Sequence, residues 1–385
     1  MDFIDTIESH CTTNKVAHIY RNSNLTYREL KTKSDSLAVN IIELFGKDKT
    51  LIIIFGHKDH LLLISFLACV KSGHPYIPMD TSTPSARLKD IVSISGAKLI
   101  INISDDLIDT PTITILNESK IGEVLVKHRN EIPDVNYRIK DEEVYYIIYT
   151  SGSTGKPKGV QITKNCIQSF INWSINLIDK EDKTFMNQAP FSFDLSVMDT
   201  YFSLLSGSIL YSIDKEMIAN LPQLFIDFRS SKIEIVNFYG PTEATVAVTA
   251  VKIKKEMKVV EKKGYRTGDA GHIIDGLLYY DGRIDNQIKL HGYRVEIEDI
   301  ENNMRKLPFI KNAIVVPIRE RDKIQYLSTA IVLNYEFKGN IVREVKNSLK
   351  DLLPSYMIPR KIMVMEALPM NGNGKIDRKK IMEEF

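Results

Sequence analysis

An α/β fold, with a large N-terminal domain of mixed and parallel sheets flanked by helices and a small α+β C-terminal domain, is predicted by three features of this 385-residue sequence. First, from Leu51 to Ile103 buried-strand runs alternate with helical periods. LIIIF at 51–55, Ile77 beside Pro78, and Lys98–Ile103 read as strands; His60 to about Lys71 and Pro84 to about Gly96 read as helices. That order is the signature of parallel βαβ units. Second, from Glu296 onward the pattern becomes helix, two strands, helix. Ile297, Ile300, Met304 and Leu307 share a helical face, Ala313–Ile318 and Leu327–Leu333 read as strands, and Val342, Val345, Leu349 and Leu352 line a second helix. Third, the length exceeds what one small core holds.

Composition narrows the function classes. A hydrophobic share of 43% with 26% charged residues fits a globular protein. A formal net charge of +2 gives no extended basic face for nucleic acid, and Lys252 to Lys263 reads as solvated surface. Cys11, Cys69 and Cys166 are scattered without C-x-x-C spacing, against a disulfide framework or a zinc site and for a reducing, cytoplasmic setting. The longest apolar run, Leu61 to Val70, is too short to span a bilayer, and MDFIDTIESH carries acidic residues where a signal peptide is basic.

In chain order, a short opening helix precedes strands at Ala17–Arg21 and Leu25–Thr26 and an amphipathic helix from Thr26 to about Phe45. LIIIF, closed by Gly56, is apolar throughout, as a strand buried on both faces must be. His57 and His60 in GHKDH have no further ligand cluster nearby, so the segment reads as a loop at a strand end rather than a metal site. Tyr145 to Gly159, YYIIYTSGSTGKPKG, then carries a strand into a loop built to hold an anion. Gly152, Gly155 and Gly159 allow positive φ, so successive N–H groups can converge on one oxyanion. Thr150, Ser151, Ser153 and Thr154 add hydroxyls, and Lys156 and Lys158 add charge. The Walker loop is disfavoured because Thr150 stands at its first glycine and Pro157 follows Lys156. Val160, Gln161 and Ile162 alternate as a second strand, which makes the loop a hairpin tip before a helix marked by Cys166, Phe170, Trp173 and Leu177.

Four further segments carry polar groups suited to a nucleotide and an amino acid. In FSFDLSVMD (191–199), Asp194 sits in an apolar frame where a lone carboxylate is costly unless something positive pairs with it. On residues alone an ammonium ligand and a helix N-cap stand level. In NFYGPTE (237–243), Tyr239 offers a flat face to a base, while Thr242 and Glu243 can reach phosphate and a hard cation. In YRTGD (265–269), Asp269 can accept two hydrogen bonds from a ribose diol or simply close a turn. In NGNGK (371–375), Lys375 sits at the tip of a loop with two glycines.

Together and in this order, these segments resemble the signatures of the adenylate-forming superfamily. The resemblance spans Tyr145 to Lys380. It implies ATP held by Thr150 and Ser151, by Asn237, Phe238, Tyr239, Gly240, Pro241 and Thr242, by Asp269, by Tyr280, Asp281, Gly282 and Arg283 of YDGR, and by Lys375. It implies Mg2+ at Glu243, an amino-acid substrate whose α-ammonium meets Asp194 and whose side chain lies near Val246, and Lys375 as the catalytic lysine that also touches substrate. The implied hinge is Asp285, dividing a 1–284 domain from a mobile 285–385 domain, with LPSYMIPRK (353–361) as a connecting segment.

Within the superfamily, NQAPFSFDLSVMD, YGPTEATVAV, YRTGDAG and QIKLHGYR resemble the ligases that load D-alanine onto a carrier protein. The implied acceptor is the phosphopantetheine thiol of a small acidic carrier in lipoteichoic acid synthesis, which Arg378, Lys379 and Lys380 could meet unless they form only a solvated tail. Other readings are an adenylation domain for another small amino acid, an acyl-CoA ligase, which needs no carboxylate at Asp194, and a non-catalytic nucleotide-binding protein. One departure stands out. Asp194 precedes Tyr239 by 45 positions and Glu243 precedes Asp269 by 26, both closer than in the family, which places a pocket wall and a strand-rich subdomain in those intervals. Deletion there would open the pocket.

Overall fold

The computed structural model describes residues 2–12, 14–106, 108, 113–150, 157–174, 183–214, 216–217, 236–239, 249–252, 269–274, 277–283, 287–290, 293–320, 323–370 and 376–385. Contacts divide the chain into two units, Met1–Thr81 with Ser95–Ile148 and Gly159–Lys255, and Ser82–Ile94 with Tyr149–Lys158 and Glu256–Phe385.

The elements of the first half run α1 (Phe3–Ser9), β1 (Val16–Tyr20), β2 (Ser23–Thr26), α2 (Tyr27–Phe45), β3 (Ile52–Gly56), α3 (His60–Lys71), β4 (Tyr76–Met79), α4 (Ser85–Ser95), β5 (Leu99–Ile103), β6 (Thr114–Asn117), α5 (Glu118–Lys127), β7 (Val144–Thr150), β8 (Lys158–Thr163), α6 (Lys164–Ser174), β9 (Thr184–Asn187), α7 (Leu195–Leu205) and β10 (Ile209–Ser212). A six-stranded sheet has the order β6-β5-β3-β4-β7-β8. β3 pairs in parallel with both β4 and β5, as the alternating pattern requires. Ile52, Ile53 and Ile54 are fully buried at its centre, each burial being worth roughly 1.5–3 kcal/mol. A second sheet, β2-β1-β10-β9, is parallel except for the β1–β2 hairpin.

Local chemistry sets the helix starts. Thr26 and Glu29 form a capping box that opens α2, with Thr26 N donating to Glu29 Oε2 at 2.9 Å and Glu29 N to Thr26 Oγ1 at 3.2 Å. Asp59 caps α3 by accepting from Leu61 N at 2.8 Å. The polar run GHKDH thus builds the passage from strand to helix. Gly56 ends β3, His57 Nδ1 bonds Asp80 Oδ2 at 2.6 Å, Asp59 caps α3 and His60 opens it. Gly56 also allows a close approach, since a Cβ there would lie 3.1 Å from Ile103 Cβ.

The chain continues with β11 (Val236–Tyr239), β12 (Thr249–Lys252), β13 (Asp269–Ile274), β14 (Leu277–Arg283), β15 (Gln287–Leu290), β16 (Tyr293–Glu296), α8 (Ile297–Arg305), β17 (Ile310–Glu320), β18 (Lys323–Leu333), α9 (Ile341–Lys350), β19 (Lys361–Val364) and α10 (Arg378–Glu383). The expected module from Glu296 is present, with β19 added in parallel to β18 in the order β17-β18-β19. Ile297, Ile300, Met304 and Leu307 are all buried, together with Val345 and Leu349 of α9. Arg378 is committed inside this unit: Nη1 donates to Glu301 Oε1 at 2.6 Å and to Val315 O at 2.8 Å. Its guanidinium is thus engaged with Glu301 and Val315, while Lys379 and Lys380 are exposed.

Candidate active site

In the first unit the site is built around the segment from the end of β9 to the start of α7. Asp194 is the N-cap residue of α7 and accepts from Leu195 N at 2.9 Å. That donor is the first N–H of the helix, whereas a fully engaged cap bonds the second or third. Of the two readings of Asp194, the structure shows the N-cap. Tyr146, buried in β7, lies within electrostatic reach, and burial first, then the negative charge of Asp194, holds its phenol well above the usual range.

Behind Asp194 lies a buried polar cluster that sequence reasoning missed. Lys58, 1% exposed, donates from Nζ to Asn187 O at 2.9 Å, Asn187 Oδ1 at 2.6 Å and Ala189 O at 2.7 Å. Burial pushes this ammonium down to about 7 against the pull of Asp199, Asp80 and Asp214. Asn187 Nδ2 donates to Asp199 Oδ2 at 3.3 Å, and burial pushes the Asp199 carboxyl up to about 7. Asn187 Oδ1 also accepts from Ser212 Oγ at 3.2 Å. A line of hydrogen bonds then runs from Ser212 Oγ to His18 Nε2 (3.0 Å), from His18 Nδ1 to His60 Nδ1 (2.8 Å), and from His60 Nε2 to Ser23 Oγ (2.9 Å) at the surface. Burial lowers both imidazole pKa values. The only sequence signal for this cluster is Asn187, a polar residue ending the strand that leads to Asp194.

β7 and β8 are neighbours in their sheet, joined by residues 151–157, as a hairpin tip requires. Val160 and Ile162 are buried and Gln161 exposed, as the alternation predicts. Thr150 Oγ1 reaches Lys158 O at 3.5 Å across the base of this loop. Ser151 lies outside the described residues. Asn237, Phe238 and Tyr239 lie on β11, paired antiparallel with β12 in the register Asn237↔Val251, Phe238↔Ala250 and Tyr239↔Thr249. Gly240, Pro241, Thr242, Glu243 and Val246 fall between those strands, outside the described residues.

In the second unit, β13 and β14 form a hairpin that sets Asp269 opposite Arg283 and Ala270 opposite Gly282. Two residues expected at a nucleotide, and far apart in the expected motifs, are thereby neighbours. Tyr280 and Asp281 lie on the same strand as Arg283, while Asp285 is outside the described residues. Lys375 is also outside them; the residues on either side of 371–375 are joined by an antiparallel bridge between Met370 and Ile376 and by Asp377 N donating to Pro369 O at 2.8 Å. Among the described residues no group of three His, Cys, Asp or Glu is arranged to hold a metal, and no helix is long and apolar enough to cross a membrane.

Residues 7–228 match the family model of the AMP-binding enzymes, and residues 299–375 that of the AMP-binding enzyme C-terminal domain. The D-alanine--D-alanyl carrier protein ligase of Bacillus cytotoxicus is 34% identical over 501 residues, covering 100% of this chain and 99% of that one. The ligase of the same name from Bacillus anthracis is 34% identical over 488 residues, covering 97% of each. An alignment of 501 positions against 385 residues leaves more than a hundred positions with no residue of this chain, and the first family match stops at 228, inside the shortened interval before Tyr239. Among solved structures, the o-succinylbenzoate CoA synthetase of Bacillus subtilis aligns with a TM-score of 0.79 at 16% identity, covering 98% of each chain. The Vibrio cholerae adenylation domain AlmE, in complex with glycyl-adenosine-5'-phosphate, aligns with a TM-score of 0.74 at 18% identity, covering 100% of this chain and 97% of that one. These neighbours share its two-domain architecture of mixed sheets flanked by helices. The chain belongs to the AMP-binding enzymes and is an adenylate-forming ligase.

Proposed function

We propose that this ligase joins D-alanine to ATP as an aminoacyl-adenylate and passes the D-alanyl group to the phosphopantetheine thiol of a D-alanyl carrier protein, for D-alanylation of lipoteichoic acid. The reading is carried by similarity along the whole chain to ligases of that name. It is supported by Asp194, a carboxylate at the head of α7 that suits an α-ammonium. An acyl-CoA ligase has no use for that charge. Adenylation takes place in the cytoplasm, where ATP is found.

The chemistry assigns the remaining roles. A substrate carboxylate and the α-phosphate repel by roughly 4 kcal/mol per unit charge pair at about 4 Å and an intermediate dielectric. Lys375 supplies the positive charge that offsets this as the new P–O bond forms and pyrophosphate leaves. Glu243 is the carboxylate that would hold Mg2+, which when bound neutralises phosphate charge. Thr150, Ser151 and the rest of the glycine loop receive the leaving pyrophosphate. Asn237, Phe238, Tyr239, Gly240, Pro241 and Thr242 hold the adenine and its phosphate, Asp269 the ribose, and Tyr280, Asp281, Gly282 and Arg283 the adjoining face of the nucleotide. Val246 borders the substrate methyl. Asp285 is the pivot between a 1–284 domain and a 285–385 domain, and its rotation withdraws Lys375 so that a thiol can approach.

ATP–pyrophosphate exchange tests the proposal. Exchange should depend on D-alanine, fall at least a hundredfold in Lys375→Ala, and fall in Asp194→Ala through the KM for D-alanine. Exchange indifferent to D-alanine would end the substrate assignment. Absence of exchange with every amino acid and short acid would mean that the shortened intervals have removed catalysis.

A further inference from the structure

Lys58 lies in the first unit, and its setting is unusual in three respects. Its φ of 56° is left-handed backbone, which a residue with a Cβ rarely adopts. Its side chain is 1% exposed. Its ammonium has three donors, and all three go to neutral oxygens of one short segment, Asn187 O, Asn187 Oδ1 and Ala189 O. A methionine would fill the same space without the cost of burying a charge.

The clamped segment leads directly to Asp194. Pro190 O accepts from Phe193 N at 2.9 Å, the Phe191 ring lies 5.6 Å from Lys58 Nζ, and Ser196 Oγ donates to Phe193 O at 2.6 Å. Asn187 is held from two other sides, by Ser212 on β10 and Asp199 on α7. The turn from β9 to α7 therefore starts at a point fixed in three directions. Released there, the Asn187–Asp194 segment could shift by an ångström without unfolding either element, and a displacement of that size is enough to weaken a charge contact steeply.

We infer that Lys58 is a positioning residue for the amino-acid site, clamping Asn187–Ala189 so that Asp194 meets the substrate's α-ammonium in one place; this rests on the role proposed for Asp194. Lys58 touches no reacting atom. Its loss should appear as a raised KM for the amino acid, not as a loss of nucleotide binding.

The experiment is pyrophosphate exchange with the full chain, as parent, Lys58→Met and Lys58→Gln, together with thermal melting of each. In Lys58→Met the KM for D-alanine should rise tenfold or more, with the KM for ATP within twofold of the parent. Lys58→Gln, which keeps an N–H donor for the clamp, should recover part of that loss. An unchanged KM for D-alanine overturns the inference. If Lys58→Met does not fold, Lys58→Gln alone decides, and a parallel rise of both KM values in it makes Lys58 structural and overturns the inference. If the parent activates a different amino acid, the D-alanine assignment falls while the same KM comparison on that amino acid still decides Lys58. A parent that activates none overturns both.

Discussion

Two lysines in the first unit are buried to the same 1%, and their surroundings treat them in opposite ways. Lys71, the last residue of α3, places Nζ 2.7 Å from Asp35 Oδ1, 2.7 Å from Glu8 Oε1 and 2.8 Å from Ser34 Oγ. Lys31 and Arg138 close the same network, at 2.5 Å from Asp35 Oδ2 and 3.6 Å from Glu8 Oε2. Here every charge has a counter-charge, and the network ties α1, α2 and α3 together. Lys58 instead meets only neutral oxygens, on the segment that carries Asp194. A matched charge marks where the fold is braced; the Lys58 ammonium, with neutral acceptors, carries a burial cost that no ion pair among the described residues offsets, which on the inference above serves the amino-acid site.

The contrast breaks most visibly on stability. Lys71→Met leaves the buried Asp35 and the half-buried Glu8 with a partner missing, and losing one member of a buried pair costs about 3–5 kcal/mol. Urea unfolding should show a loss near the lower end of that range, because Lys31 still neutralises Asp35. Lys58→Met should cost less than half as much at neutral pH, since the acceptors it orphans are offset by removal of a buried charge. Equal losses at the two positions would mean that both lysines are braces.

pH sharpens the contrast. Lys58 is pushed down to about 7 in the folded chain, against 10.5 unfolded. Between those values the unfolded chain binds more protons, so stability rises with pH by at most about 1.4 kcal/mol per pH unit from this group. The cost of burying the ammonium is full below pH 7 and relieved above it. Asp199, raised to about 7 from 3.8, acts in the other window: its contribution is whole below pH 3.8 and is lost as pH rises to 7. The parent should therefore gain on Lys58→Met between pH 7 and 9, with Asp199, Asp80 and Asp214 facing the ammonium in both directions of the titration. A flat difference over that range would place a full counter-charge beside Lys58.

What the sequence makes legible follows from how far each signal reaches. Ile52–Ile54 and the Ile297, Ile300, Met304, Leu307 face are periodic apolar patterns, and periodicity reports burial directly. Thr114–Asn117 escapes notice because of its burial pattern: only Leu116 is buried, so no period of two exists to see. Asp194 reads equally as cap and as ammonium ligand because both need a carboxylate before an apolar helix, and the structure shows the cap. Lys58 leaves no mark at all. Its inward turn depends on a left-handed φ and on Asn187, 129 positions away, and neither is encoded in GHKDH. Arg378 looks like part of a basic tail for the same reason, since Glu301 lies 77 positions before it.

The smallest expected effect lies in β7, where two adjacent tyrosines again divide by partnership. Tyr145 Oη accepts from Tyr201 Oη at 3.0 Å, and Tyr76 Oη lies 3.3 Å from the same hydroxyl. Tyr146 Oη has no hydrogen-bond partner among the described residues, and neither does Thr200 Oγ1; both residues line a cavity of about 10 Å³, room for one water molecule. Replacing Tyr145 by Phe leaves the Tyr201 hydroxyl only the longer contact with Tyr76 and should cost about 1 kcal/mol. Replacing Tyr146 by Phe removes a hydroxyl whose desolvation is uncompensated, or compensated by a single water, so urea unfolding should move by less than about 1 kcal/mol in either direction. A loss above about 2 kcal/mol in Tyr146→Phe would show that the hydroxyl bonds a protein group in solution, and the floor beneath Asp194 would then be braced like the network at Lys71.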